Sequence, residues 1–321
     1  MSVIEEKTNG REYMKKNIVI VGSSNTDMII KMPRIPKPGE TVLGGEFSIA
    51  AGGKGANQAV SAARAGGKVV FIACVGEDMF GEQAVRGFVQ DGIDTEYIVR
   101  DKKAPSGVAL IFVDKEGENS IAVASGANAN LSPADINAAK DVIASAEIIL
   151  MQLEIPIETV NAVIEIAREH KIKVILNPAP AQPLGDDILR HISIITPNES
   201  EAELLTGVKV ESEQDAEEAA NFLLAKGIQA VMITLGARGV YVSDSDFKGI
   251  IPGYSVKAED TTAAGDVFNG VLAVSLAMNK SLADAARFSN AAAALSATKL
   301  GAQTSAPYRS DIEKFLNDKR K

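Results

Sequence analysis

Short, nearly continuous apolar runs punctuate the chain and set its architecture. The first is NIVIVG (Asn17–Gly22), and similar runs recur at Lys68–Val75, Ala146–Gln152, Ile172–Asn177, Ile192–Thr196 and Ile228–Thr234. Runs of this length without strict alternation predict strands buried on both faces. Between several of them the apolar positions return at helical spacing. Ser132-Pro133 with Asp135 in the first turn, Ile157–His170 and Gln214–Lys226 each predict a helix. Strands alternating with helices give an α/β fold: a three-layer α/β/α sandwich around a mainly parallel central sheet.

Two stretches break this rhythm. Met28–Ile49 and Ala104–Ser125 carry Pro, Gly and alternating segments such as GVALIFVDKEGENSIAVAS, in which Asp114–Asn119 reads as a hairpin turn. They predict one small antiparallel β sheet, a lid projecting from the main domain. Gly265–Met278 and Leu282–Thr298 are rich in Ala and other small residues, as suits closely packed helices, and a last short helix is expected over Arg309–Asn317. Residues 1–15 have no sustained period. They are expected to form a disordered extension ahead of an α/β domain at 16–321, into which lid segments at about 28–49 and 104–125 are inserted.

Composition narrows function by exclusion. With 33 Lys and Arg against 42 Asp and Glu the formal charge is -9, whereas neutralising nucleic-acid phosphates needs a basic surface, so no nucleic-acid partner is expected. No apolar run approaches the ~18 residues that span a bilayer, and no basic-then-apolar signal layout opens the chain. The expected location is cytoplasmic, with no membrane partner. The single cysteine, Cys74, rules out a disulfide framework and lies in a run that predicts a buried core thiol. His170 and His191 have no second His or Cys at metal-ligand spacing and read as surface residues at helix ends.

The usual nucleotide signatures are absent: Gly53-Lys54 and Gly67-Lys68 are not followed by Ser or Thr, and the first strand runs on as GSSNTD rather than GxGxxG. The sharpest motif is Asp260-Thr261-Thr262-Ala263-Ala264-Gly265-Asp266, directly before the helix VFNGVLAVSLAM. Small residues ending in Gly let backbone N–H groups converge at a helix N-terminus, which is a phosphate cradle. Asp266 at its edge can accept a proton from an attacking hydroxyl. It can equally be a residue that only complements the helix dipole, with Thr262 as cap.

Ala51-Gly52-Gly53-Lys54-Gly55-Ala56-Asn57-Gln58-Ala59 is a second Gly-rich entry into a helix (Ala56–Ala65). Its glycines permit close approach of a ligand, with Lys54 and Asn57 as hydroxyl partners, or else form a hinge. Asn25 and Asp27 follow the first strand and Glu154 leaves the strand IILMQL, all at the edge where open α/β sheets bind ligands. In Thr196-Pro197-Asn198-Glu199-Ser200-Glu201, the spacing of Asn198 and Glu201 favours a capping box, with magnesium binding, direct or through waters, as the functional reading. Thr234-Leu235-Gly236-Ala237-Arg238-Gly239 is a strand-to-strand loop: a plain turn in isolation, or a place where a nucleotide approaches.

In this order the five motifs resemble the ribokinase branch of the PfkB family of carbohydrate kinases. GGKGANQA and DTTAAGD in combination carry the resemblance, supported by Asn25-x-Asp27, MQLE and NPAPA, and it extends from about Asn17 to the C-terminal helix. It implies ATP-dependent phosphorylation of D-ribose at the 5-hydroxyl, with Asp266 as base and Ala263, Ala264 and Gly265 as anion hole. It implies ribose contacts from Asn25, Asp27, Gly53, Lys54, Asn57 and Glu154, besides Asp266 itself. By the same resemblance Asn198, Thr234, Leu235, Gly236, Ala237, Arg238, Gly239, Gly265 and Asn290 correspond to ATP-binding positions, and Asn198 and Glu201 to a magnesium-associated element. A potassium activator site would use Asp260, Thr262, Ser296, Lys299, Gly301 and Ser305, largely through backbone oxygens; Lys299 stands where relatives often carry Arg. A homodimer through the lid is also implied. A kinase for another sugar or a nucleoside, including 2-deoxyribose or fructose, and a non-catalytic sugar or nucleotide sensor are the alternatives, with a dinucleotide oxidoreductase more distant because its fingerprint is missing.

Overall fold

The computed structural model describes residues 17–319; the expected extension at residues 1–15 lies outside the described residues. The main sheet comprises β1 (Ile18–Val21), β4 (Val69–Gly76), β5 (Ile98–Asp101), β8 (Ile148–Met151), β9 (Lys173–Leu176), β10 (Ile194–Ile195), β11 (Ala230–Thr234), β12 (Gly239–Ser243) and β13 (Lys248–Pro252). The lid holds β2 (Asn25–Lys31), β3 (Glu46–Gly52), β6 (Gly107–Val113) and β7 (Asn119–Ala124). The helices are α1 (Lys54–Arg64), α2 (Met79–Gln90), α3 (Pro133–Ala138), α4 (Lys140–Ala144), α5 (Ile157–His170), α6 (Asp186–Leu189), α7 (Glu199–Thr206), α8 (Glu213–Ala225), α9 (Ala264–Ala277), α10 (Leu282–Ser296) and α11 (Arg309–Lys319).

The main sheet runs β13-β12-β11-β10-β9-β8-β1-β4-β5 and is parallel except for the β11·β12 and β12·β13 pairs at one edge. β1 is fully buried because both of its faces are covered: Ile18 and Ile20 point into one core with α1, α9 and α10, while Val19 and Val21 point into a second with α3, α5 and α8. That two-sided burial is why the strand runs look continuously apolar. The run over 192–196 yields only two ladder residues, although Ser193 and Thr196 amides still bond to Val174 and Leu176 carbonyls at 3.0 Å, continuing the register. α2 and β13, which no periodicity announces, complete the layers; in α2 the interruption by Gly81 and Gly87 dilutes the helical pattern.

The lid is a separate four-stranded sheet, β3-β2-β6-β7. Its two outer pairs are antiparallel as expected, but β2 and β6 pair in parallel, because both leave the main domain in the same direction. The Asp114 carboxylate accepts from the Glu116 and Glu118 amides and Gly117 takes φ 85°, closing the expected hairpin between β6 and β7. The strands extend further than the alternation suggested, so Asn25 and Asp27 open β2 and Gly52 ends β3. Register places exposed Phe47, Ile49 and Leu110 on one lid face and exposed Ile121 and Val123 on the other.

α1 and α9 pack together through small residues. α9 is buried on all sides from Asp266 to Ser275, which explains its lack of a polar stripe. A Cβ at Gly270 would lie 2.5 Å from the Gln58 carbonyl oxygen and 2.9 Å from the Ala62 nitrogen. Helix propensity favours Ala over Gly by about 1 kcal/mol, but backbone cannot move aside as a side chain can, so the clash decides the sign. Gly270→Ala is expected to destabilise the protein by about 1–3 kcal/mol and to lower its thermal midpoint by several degrees in a circular-dichroism melt. An unchanged or raised midpoint would contradict this packing.

Candidate active site

Three elements meet at the C-terminal end of β1. A Cβ on Gly55, in the first turn of α1, would lie 2.6 Å from the Gly22 carbonyl carbon and the Ser23 nitrogen. Gly53, the N-cap of α1, has φ 89°, a conformation that other residues reach only with strain. These two glycines let the helix start touch Gly22–Asn25, the segment that leads from β1 into β2 with its Asn25 and Asp27. Asn25 is oriented by Asn128, whose amide donates to Asn25 Oδ1 at 2.8 Å and to the Ser24 carbonyl at 3.2 Å. Glu154, just past β8, accepts the Lys54 amide at 3.0 Å and the Ser23 hydroxyl, so a carboxylate sits on the N-terminus of α1.

Asp266 enters this group from the first turn of α9. Its residue is 7% exposed, and both oxygens accept amide donors: Oδ2 from Asn57 Nδ2 at 2.9 Å and Oδ1 from Gln58 Nε2 at 3.0 Å. Burial raises the Asp266 pKa, against the lowering influence of Lys54 and of the two amides. Asp27 is pushed up to about 6, by burial first and then by Glu154 and Asp266. For Lys54, burial favours the neutral amine, but Asp266, Glu154, Glu201 and Asp27 outweigh it and hold the ammonium above its ordinary value. One lysine thus stands among four carboxylates.

The start of α9 has the features of an anion cradle. Its N-cap is Ala263 and carries no side-chain cap; Thr262 does not cap the helix, because its amide and hydroxyl both donate to Asp260 Oδ1. A Cβ at Gly265 would meet nothing within 4 Å, so the space above this turn is open. Asp260 also accepts the Gly301 amide at 2.9 Å on its other oxygen, while the Glu259 and Asp260 amides donate to Ala297 O. The segment carrying Asp260 and Thr262 is thereby stitched to the one carrying Ser296, Lys299, Gly301 and Ser305. Hydrogen bonds hold the Asp260 pKa low against the opposing effect of its burial.

Asn198 and Glu201 form the capping box that their spacing favoured: Asn198 Oδ1 accepts the Glu201 amide and Glu201 Oε2 the Asn198 amide, each at 2.8 Å. Burial raises the Glu201 pKa, with Lys54 opposing. No group of three or more His, Cys, Asp or Glu side chains among the described residues forms a metal cage. Asn198 bridges to Thr234, and the following turn, with Gly236 at φ 55° and open space around it, leads into β12. Arg238 points away, to Glu199 and the Glu211 carbonyl. Asn290 lies at the same end, but its amide nitrogen is committed to the carbonyls of Ile251 and Pro252, leaving Oδ1 as the atom open to a ligand.

Several residues that motif reading did not single out support the site: Ser23, Gln58, Asn128, Gln152, Asn177, Thr196 and Asn269. Gln58 stood inside the Gly-rich motif and Gln152 and Asn177 inside MQLE and NPAPA, so the signal was a polar residue embedded in an otherwise buried apolar run. Cys74 is buried, and burial lifts its thiol to about 11, which suits the inert core role.

Residues 15–309 match the model of the pfkB family carbohydrate kinases. The chain is 50% identical over 303 residues to the ribokinase of Haemophilus influenzae, covering 94% of this chain and 99% of that one. It is 37% identical over 302 residues to the deoxyribokinase of Salmonella typhi, covering 94% and 99%. The structure of Arabidopsis thaliana ribokinase complexed with ribose and ATP superposes with a TM-score of 0.88 at 31% identity, covering 94% and 98%. With a family match across residues 15–309, and with Asn25, Asp27, Lys54, Glu154 and Asp266 gathered at one sheet edge, this chain belongs to the pfkB family of carbohydrate kinases.

Proposed function

We propose that the chain is an ATP-dependent ribokinase that converts D-ribose to D-ribose 5-phosphate. The observation that carries this reading is the buried Asp266 carboxylate at the uncapped start of α9, facing the same region as Asn25, Asp27, Lys54 and Glu154. In the reaction the ribose 5-hydroxyl oxygen forms a bond to the γ-phosphorus as the bond to the bridging oxygen breaks and ADP leaves. The hydroxyl proton passes to Asp266. Its carboxylate is a weak base, which suffices because proton transfer is late in a loose phosphoryl-transfer transition state. The backbone N–H groups of Ala263 and Gly265 stabilise the phosphoryl oxygens, joined by that of Ala264 on leaving the Thr261 carbonyl to which it donates at 3.2 Å. Asn25, Asp27, Gly53, Lys54, Asn57 and Glu154 orient the sugar, and Asn198, Thr234–Ala237, Gly239 and Asn290 hold the nucleotide, the Arg238 side chain being engaged with Glu199 and the Glu211 carbonyl.

Magnesium, bound on the triphosphate and reached by Asn198 and Glu201 directly or through water, would offset phosphate charge. Potassium would be held between the two segments that Asp260 stitches together, beside the anion cradle. The similarity to a deoxyribokinase supports 2-deoxyribose as the competing substrate. A cytoplasmic location, where ATP is abundant and Cys74 stays reduced, is part of the same proposal. No helix among the described residues is long and apolar enough to cross a membrane. The apolar side chains exposed on both lid faces support a homodimer through the lid.

ADP release with magnesium-ATP should require ribose, exceed that with 2-deoxyribose and fall when sodium replaces potassium; release that ignores the sugar would sink the ribokinase reading. Asp266→Asn should lower kcat by about 10²–10⁴-fold while ATP affinity stays within a few-fold. Retained turnover would remove Asp266 as base. Sedimentation should give twice the 33.7 kDa chain mass, and a monomer at micromolar concentration would refute the lid dimer.

Asp27 offers a test by stability. Its pKa in the folded state, about 6, exceeds the ordinary 3.8, so the folded state binds the proton more tightly. The stability linked to Asp27 is therefore fully present below about pH 4 and lost as pH rises through about 6. Asp27→Asn should stabilise the protein on the order of 1–3 kcal/mol at pH 7 and have almost no effect at pH 4, while impairing ribose use. Destabilisation at pH 7 would contradict this.

A further inference from the structure

We infer that Gln58, itself fixed by Gln152 and Asn177, is a positioning residue that sets the orientation of the Asp266 carboxylate for proton transfer. The inference rests on the reading of Asp266 as the base. Gln58 is 0% exposed, so no substrate atom reaches it. It nevertheless uses both amide hydrogens and its oxygen: Nε2 donates to Asp266 Oδ1 and to Asn177 Oδ1, each at 3.0 Å, and Oε1 accepts Gln152 Nε2 at 2.6 Å.

The direction of this chain is set by a group that cannot reverse. Asn177 Nδ2 donates to the main-chain carbonyl of Thr196 at 3.1 Å, and a carbonyl only accepts. Asn177 must therefore turn its oxygen toward Gln58, Gln58 must turn its NH₂ toward Asn177 and Asp266, and Gln152 must supply the donor behind. A flipped Gln58 would set oxygen against both Asn177 Oδ1 and the carboxylate, and nitrogen against nitrogen. The same Thr196 reaches the cradle by a second path: its hydroxyl donates to Asn269 Oδ1 at 2.6 Å, and Asn269 Nδ2 donates to the Gly265 carbonyl at 2.9 Å. One buried network thus holds both the base and the glycine that precedes it.

With Asn57 on one oxygen and Gln58 on the other, the carboxylate plane is pinned by two consecutive residues of α1. Freeing one side would let it rotate, and a misplacement of about 1 Å at a reacting group can cost about 10²-fold in rate. Two donors also favour the ionised form inside a buried site. The charged groups around Asp266 are Lys54 from α1, Glu154 after β8, Asp27 from β2 and Glu201 from α7. None is altered by changing Gln58.

The test compares Gln58→Met, Gln152→Met and Asp266→Asn in full-length protein, measuring kcat, both KM values and the pH dependence of kcat. Gln58→Met keeps length and volume but removes the donors. It should lower kcat about 10–100-fold with KM for ribose and ATP within about threefold, and move the acid limb of the profile to higher pH. Gln152→Met, which touches neither Asp266 nor substrate, should lower kcat several-fold in the same manner and decides the matter if Gln58→Met does not fold. Normal kcat and pH profile in the glutamine variants, or a fall in kcat with an unmoved acid limb, would overturn the inference while Asp266→Asn still loses turnover. Full turnover in Asp266→Asn would instead overturn the base reading on which it rests.

Discussion

The rest of the site depends on keeping one carboxylate charged inside the protein. Asp266 is almost wholly buried, and burying an uncompensated carboxylate costs several kcal/mol. Here the compensation comes from three sources at once: the nearby Lys54 charge, the amide donors of Asn57 and Gln58, and the N-terminus of the helix that carries Asp266 itself. Two of these sources lie on α1 and the third on α9, so the helices must approach closely. Gly270 permits that approach, and Gly55 lets α1 in turn press against the loop after β1. The sequence of small residues along both helices is the packing counterpart of the electrostatic requirement.

The balance of charge in the pocket has a direction. Asp27, Glu154, Glu201 and Asp266 surround a single lysine, so the region around Asp27 and Glu154 is rich in acceptors, which suits a neutral ligand presenting hydroxyl donors. In the proposed reaction an anionic phosphoryl group would meet a different surface, the open backbone at Gly265 and the uncapped start of α9. That division would keep the two substrates in register, hydroxyls at carboxylates and amides, phosphates at backbone N–H groups. The raised pKa of Asp27 reflects its burial first and then the crowding of those acceptors.

Much of this was legible in the sequence because it rested on local rules. The buried strands followed from apolar runs, the start of α7 from the Asn198–Glu201 spacing, and the start of α9 from the small residues before Asp266. The hairpin at Asp114–Asn119 followed from its turn chemistry. What was not legible required contacts between distant residues. The parallel pairing of β2 with β6 has no local signature, and α2 was hidden by its glycines. The commitment of Thr262 to Asp260 could not be told from a capping role, since a threonine before a helix serves either. Gln58, Gln152 and Asn177 come from a helix and two strand ends, and their polarity gains meaning only where those elements converge. The lid faces are apolar on both sides, so their alternation alone does not say what covers them.

The central claim is that Asp266 is a buried carboxyl whose pKa is raised by burial and held back by Lys54, Asn57 and Gln58. The direct measurement is a pH titration by ¹³C NMR of protein labelled at aspartate carboxyls, with the Asp266 signal identified by its loss in Asp266→Asn. The account predicts a midpoint above the ordinary aspartate value of 3.8, raised further in Gln58→Met, which removes one of the two amide donors. A carboxyl titrating at or below the ordinary value would contradict it.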